Sequence, residues 1–221
     1  MAYKIAVLAQ KGGVGKSTIA RLIATEFSRL DEGTWNVVIA DMDVLQSTSF
    51  HWAERRDRNA ITPHVLVERF KFVDHALAAA DGYDVMVFDA APHASQDTLK
   101  IARFSDVVII PTGLSLDDLE PTVNLARELH AKGVKANTIV MGLCRVGDSI
   151  VEELEARRYL AETEFRTASG HLPDRTAYRR ASDMGQAVTE TPYGSLNQKA
   201  KHFYQSLMQQ LYETYQSQEQ Q

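Results

Sequence analysis

Five short runs, YKIAVLA (3–9), NVVIA (36–40), DVMVF (84–88), DVVII (106–110) and NTIVMGL (137–143), are apolar almost throughout instead of alternating with polar residues. A strand of this kind must be covered on both faces, because either face left in water would expose a row of aliphatic side chains. Asp, Gly, Pro or Asn bound the runs. Between them lie stretches of helical character, among them 17–30 (STIARLIATEFSRL), 116–133 (LDDLEPTVNLARELHAKG) and 148–164 (DSIVEELEARRYLAETE). Alternation of buried strand and helix specifies an α/β fold, a mostly parallel twisted sheet flanked by helices on both faces.

The 221 residues, 44% of them hydrophobic, can bury a full core, and no repeat, low-complexity block or Pro/Gly-rich linker divides them. A single domain over 1–221 is the economical expectation, with the polar end SQEQQ (217–221) as a short flexible tail. The net charge of -5 gives no global pull toward nucleic acid or anionic lipid, so any such binding needs a local patch. The single cysteine, Cys144, excludes a disulfide framework and a thiolate metal cluster within one chain. No basic-then-apolar leader and no apolar run near ~20 residues is present, so a soluble, cytoplasmic protein is expected.

The first apolar run leads directly into LAQKGGVGKSTIA (8–20). Gly12, Gly13 and Gly15 let the backbone turn sharply and aim successive N–H groups inward, with Val14 among them, while the following helix presents its positive end to the same point. That geometry cradles a polyphosphate. In it Lys16 would reach the β- and γ-phosphates, Ser17 would place its hydroxyl on Mg²⁺, and Thr18 would contact the α-phosphate. A glycine turn that binds nothing is the rival reading, and the strand–loop–helix context argues against it. The loop starts about ten residues into the chain, which leaves no room before it for a helix-turn-helix module.

Gln10 and Lys11 depart from the ordinary loop, which has glycine at position 10. The stretch Lys11-Gly12-Gly13-Val14-Gly15-Lys16-Ser17-Thr18 resembles the deviant Walker A motif, K-G-G-x-G-K-[ST]-[ST], of the ParA/MinD family of P-loop ATPases. The resemblance implies that Lys11 is a signature lysine that crosses to the nucleotide of a second subunit in an ATP-bound sandwich dimer. VVIADMD (37–43) is a buried strand ending in two carboxylates, where α/β folds place ligands. It resembles the family's D-x-D-P-Q-G motif, by which Asp43 would orient the attacking water and Asp41 would support the Mg²⁺ shell. The rival reading is an Asp pair capping the next helix. Here the match departs, since Val44-Leu45-Gln46-Ser47 replaces Pro-Gln-Gly-Ser and one residue is added before Trp52.

VMVFD (85–89) reads as a Walker B strand, with Asp89 binding Mg²⁺ through water. Ala90-Ala91-Pro92-His93 follows in place of a Pro-Gly or Pro-Pro pair, and His93 is expected at the surface or at a helix start. Ile109 to Leu119 resembles the family's P-x-x-P-S-x-x-D-L segment. Arg145 occupies the place of an Asn-Arg or Thr-Arg pair beside adenine, where it would stack on the base; a surface salt bridge is the alternative.

Toward the C-terminus, Asp174 to Ala181 followed by Gly185 resembles the R-x-A-Y-x-x-A-x-x-x-G stretch of small plasmid-type ParA proteins. The resemblance runs from residue 3 to about 216, strongest in the first 45 or so. It implies that basic C-terminal residues contact DNA without sequence preference once the dimer forms. Candidates are Arg175, Arg179, Arg180, Lys199 and Lys201, which exceed Asp174, Asp183 and Glu190 by two charges over 171–201. Arginine also serves ordinary helix salt bridges. Phe203, Leu207, Leu211 and Tyr215 form a stripe suited to docking a last helix, 194–216, on the core and not to anchoring in a membrane.

The resemblance as a whole implies an ATP-dependent homodimerising switch with weak, partner-stimulated ATPase activity, using ATP and Mg²⁺. Its ATP state would ride on nucleoid DNA and position a plasmid or other large cargo through an adaptor protein. A metabolic or metal-delivery ATPase is the alternative of another class, although the nitrogenase iron-protein branch needs paired cysteines. A phosphotransferase such as a bacterial tyrosine kinase is a third, but Tyr204, Tyr212 and Tyr215 suit helix packing better than a phosphorylation cluster.

Overall fold

Seven strands and eight α-helices alternate through residues 3–92 and 96–219, the parts of the chain that the computed structural model describes. They are β1 (Tyr3–Val7), α1 (Lys16–Phe27), β2 (Val37–Asp41), α2 (Thr48–Arg58), β3 (Leu66–Arg69), α3 (Val73–Ala79), β4 (Val85–Asp89), α4 (Gln96–Phe104), β5 (Val107–Thr112), α5 (Leu116–Ala131), β6 (Ile139–Val146), α6 (Ile150–Ala161), β7 (Arg166–Pro173), α7 (Thr176–Asp183) and α8 (Gly194–Glu219). The sheet order is β3-β2-β4-β1-β5-β6-β7. Every strand pair is parallel, so "mostly parallel" understated the regularity of this sheet.

The apolar runs do what two-sided burial requires. In β1, Ile5 and Val7 join a core layer with α1, α2, α7 and α8, while Ala6 packs on the opposite face with α3, α4, α5 and α6. The same split recurs in β4, where Val85 and Val87 go one way and Met86 and Phe88 the other. Each fully buried aliphatic side chain of this kind contributes about 1.5–3 kcal/mol.

Two strands escape the apolar-run criterion. β3 and β7 are the edges of the sheet, and an edge strand needs less apolar cover than a central one. β7 carries Arg166, Thr167, Ser169 and His171, yet α8 lies directly on it. The approach depends on glycine. A Cβ at Gly170 would sit 2.8 Å from the Phe203 Cα, and one at Gly142 would sit 2.8 Å from the Phe203 ring. Phe203, Leu207 and Leu211 are buried as the stripe predicts, whereas the side chain of Tyr215 lies outside the described residues. Helix α8 runs on through 217–219, and Gln220 and Gln221, like His93, lie outside the described part. No helix among the described residues is long and apolar enough to cross a membrane.

Chain order supplies the crevice. From β1 the chain passes to one side of the sheet, and from β5 it passes to the other, so the loops at the strand C-termini diverge there. Register then sets the chemistry, because Asp89 pairs with Val7 on one side and with Asp41 on the other.

Candidate functional site

The loop between β1 and α1 has the conformation that its glycines permit. Gly13 and Gly15 have φ of 78° and 110°, and a Cβ at Gly15 would come within 3.3 Å of the Cys144 sulfur. Gly15 caps α1 without any side-chain bond, and the first turn of α1 holds no acidic residue. The amides and the helix dipole there are thus free to meet an anion. A cavity of about 510 Å³ opens against the loop, lined on one side by Gly13, Gly15 and Thr18 and on the other by Arg145, Pro173 and Tyr178. Its size suits a nucleoside. Cys144 is in its wall, a buried small residue as the sequence suggests.

Behind the loop, Asp41 and Asp89 stand side by side and almost wholly buried. Burial pushes both carboxyls upward, and for Asp41 the neighbouring charge of Asp89 adds to this. Hydrogen bonds and cations oppose the rise. The hydroxyls of Ser49 and Ser17 and the cations of Arg21 and Lys16 face Asp89. Ser49 donates to Asp89 at 2.7 Å. Lys16 is itself buried, which lowers its pKa, with Asp89 and Asp43 acting against the shift. Ser17 Oγ is 3.0 Å from Thr48 Oγ1.

Asp41 also does the work that the rival reading gave it. Its Oδ2 accepts the amides of Ser49 at 3.0 Å and Phe50 at 3.1 Å, so it caps α2 from inside the sheet. Asp43 is half-buried and shapes the turn into α2, accepting the Gln46 amide through Oδ1 at 3.2 Å. In that altered turn Ser47 takes a left-handed φ of 46°, and Leu45 is 99% exposed.

Among the described residues no group of three or more His, Cys, Asp or Glu side chains gathers as a metal cage. Mg²⁺ does not need one, since it is commonly held by one or two carboxylates, a hydroxyl, waters and substrate phosphates. Ser17, Asp89 and Asp41 fit that donor set.

Lys11 bridges from the loop to the next helix along the sheet. Its ammonium donates to the Asp117 carbonyl and to Asp118 Oδ1, the latter at 3.1 Å, and so ties the loop to the start of α5. Arg145 adopts φ of 57°, unusual for a residue with a Cβ, and donates to the Gly13 carbonyl at 3.4 Å. It pairs with no carboxylate among the described residues.

The C-terminal cations divide into two groups. Arg175 pairs with Asp148 and lines the cavity, and Arg179 pairs with Asp174. Arg180, Lys199 and Lys201 are exposed and have no ion-pair partner among the described residues. The hydroxyls of Tyr204 and Tyr212 bond to each other at 2.6 Å, with Tyr204 in the core.

Ser49 and Arg21 are absent from the motif reading. Arg21 lies within the buried face of α1, and the signal for it is a lone cation in the apolar run I-A-R-L-I-A. Burial pulls its guanidinium down to about 10, with Asp89 opposing.

No protein-family model matches the chain, and no curated protein matches it by sequence. Solved structures share its fold at low identity. An ATP complex of a Cyanothece McdA variant superposes with a TM-score of 0.71 at 15% identity, over 93% of this chain and 96% of the other. The septum site-determining protein MinD of Pyrococcus horikoshii, complexed with Mg-ADP, gives 0.73 at 14% over 95% and 96%. A putative plasmid partition protein of Borrelia burgdorferi bound to AMPPNP gives 0.67 at 19% over 92% and 98%.

Proposed function

We propose that this chain is a P-loop ATPase of the ParA/MinD type, an ATP-dependent switch whose dimer positions a large cargo. The observation that carries the reading is the convergence of one loop and two strand ends. Lys16 and Ser17 emerge from the glycine loop and face Asp89, which strand register sets beside Asp41, and the same loop lines a nucleoside-sized cavity through Gly13, Gly15 and Thr18. The structural neighbours with bound ATP, Mg-ADP and AMPPNP agree with a nucleotide there.

In this reading the loop amides and Lys16 hold the β- and γ-phosphates, Thr18 meets the α-phosphate, and Arg145 covers the base. Ser17 and Asp89, supported by Asp41, hold Mg²⁺, which neutralises developing phosphate charge when bound. Asp43, whose charge acts on Lys16, orients the attacking water. Lys11 leaves Asp118 and reaches the nucleotide of a second copy. Hydrolysis is slow until an adaptor protein binds, and the switch is cytoplasmic and nucleoid-associated in its ATP state.

DNA contact falls to the exposed cations Arg180, Lys199 and Lys201, with Arg175 and Arg179 joining if their carboxylate partners release them. The test measures binding to arbitrary duplex DNA at low salt with ATP, ADP or no nucleotide, beside a nucleotide titration. Salt-sensitive DNA binding with ATP alone supports the switch. Lys16→Ala is expected to abolish both nucleotide and DNA binding. A wild-type protein that binds no ATP refutes the ATPase reading, and one that binds ATP but never DNA refutes the DNA-riding part alone.

A further inference from the structure

Arg21 is buried between three helices and bonds to two of them. From α1 its Nε donates to Ser49 Oγ of α2 at 3.2 Å, and its NH1 donates to Ser182 Oγ of α7 at 2.9 Å. The guanidinium also lies 5.7 Å from the Trp52 ring centre. The Ser49 hydroxyl in turn donates to Asp89 at 2.7 Å, and its amide donates to Asp41 at 3.0 Å. One side chain therefore joins the hydroxyl that bonds Asp89 to the last turn of α7, the helix that carries Arg179 and Arg180.

The surroundings make this link stiff. The Trp52 indole donates to the Gln186 carbonyl at 3.1 Å, and Arg56 donates to the Gly185 carbonyl at 3.0 Å. Gly185 has φ of 80°, and a Cβ there would sit 2.3 Å from the Arg56 nitrogen, so the end of α7 rests on the α2 backbone. A shift of Asp89 or Ser49 cannot be absorbed by loose packing here, because close-packed interiors transmit displacement.

We propose that Arg21 is a positioning residue that couples occupancy of the magnesium-nucleotide site to the placement of α7. The role rests on the ATPase reading above. Any change in how Asp89 uses Ser49 on binding redirects the Ser49 hydroxyl, and the fork of Arg21 carries the change to Ser182. Lysine keeps a cation beside Asp89 but has no rigid fork with which to hold two hydroxyls on different helices.

Coupling of this kind is a free energy between sites and can be read away from the chemistry. Hydrogen exchange of the amides of α7, with and without Mg²⁺ and ATP, is measured on the wild type, Ser182→Ala and Arg21→Lys, beside titrations with a fluorescent ATP analogue. The wild type is expected to show a change in α7 exchange on nucleotide binding of about fivefold or more. Ser182→Ala is expected to bind nucleotide with near wild-type affinity and to lose that change, and Arg21→Lys is expected to lose it as well. Ser182→Ala leaves Arg21, Ser49 and the carboxylates in place, so its loss of response cannot come from a damaged site. Retention of the full α7 response in Ser182→Ala overturns the proposal, as does a wild type that binds nucleotide without any α7 response. A wild type that binds no nucleotide overturns the ATPase reading and this role with it, and the titration tells that failure from the others.

Discussion

Removal of Glu190 is expected to cost the protein a large share of its stability. Arg56 is fully buried, and Glu190 meets it in a two-pronged pair at 2.7 and 2.9 Å. The same carboxylate accepts the Ala187 amide at 2.7 Å and pairs with Arg29. In Glu190→Ala, Arg56 keeps the Pro63 and Gly185 carbonyls and the Trp52 ring but has no counter-ion. Breaking a buried pair from one side costs about 3–5 kcal/mol, and the two remaining carbonyls place this case near ~3. At about 2–4 °C per kcal/mol for a chain of this length, Tm should fall by about 6–12 °C. Urea unfolding followed by circular dichroism measures the cost directly, with the slope m unchanged. Adding Arg56→Met to Glu190→Ala should recover part of the loss, since an apolar side chain needs no partner. A cost for Glu190→Ala under about 1 kcal/mol, the value of a surface ion pair, would refute the reasoning.

Three further outcomes follow from single contacts. Asp43→Ala should bind ATP but hydrolyse it at least about tenfold more slowly and accumulate as an ATP-bound dimer; normal turnover in a phosphate-release assay would remove Asp43 from the water-positioning role. Gly170→Ala should lose about 1–3 kcal/mol, because the new Cβ meets the backbone of Phe203, which cannot swing aside, and thermal melts read the loss. Burial pushes the Cys144 thiol up to about 12, so iodoacetamide at pH 8 should leave it unmodified in the folded protein and alkylate it quickly in urea; rapid labelling without urea would contradict its burial.

What the sequence determined by itself is what neighbouring residues can express. Burial on both faces is written into consecutive positions, so β1, β2, β4, β5 and β6 were all legible, to within a few residues at their ends. The glycine loop is equally local, since its turn, its lysine and its helix start occupy eight adjacent residues. The carboxylates of Asp41 and Asp89 could be named from strand ends, and Asp41 proved to cap α2 as well. The tertiary structure alone decided the rest, because it depends on contacts between distant segments. The edge strands β3 and β7 take their apolar cover from elsewhere, β7 from α8, so their own residues show little pattern. Lys11 holds Asp118 from 107 positions away, and Arg21 holds Ser182 from 161 away. No spacing rule reaches across such distances. Only the strand order that brings α1, α2 and α7 together gives a lone buried arginine its two partners.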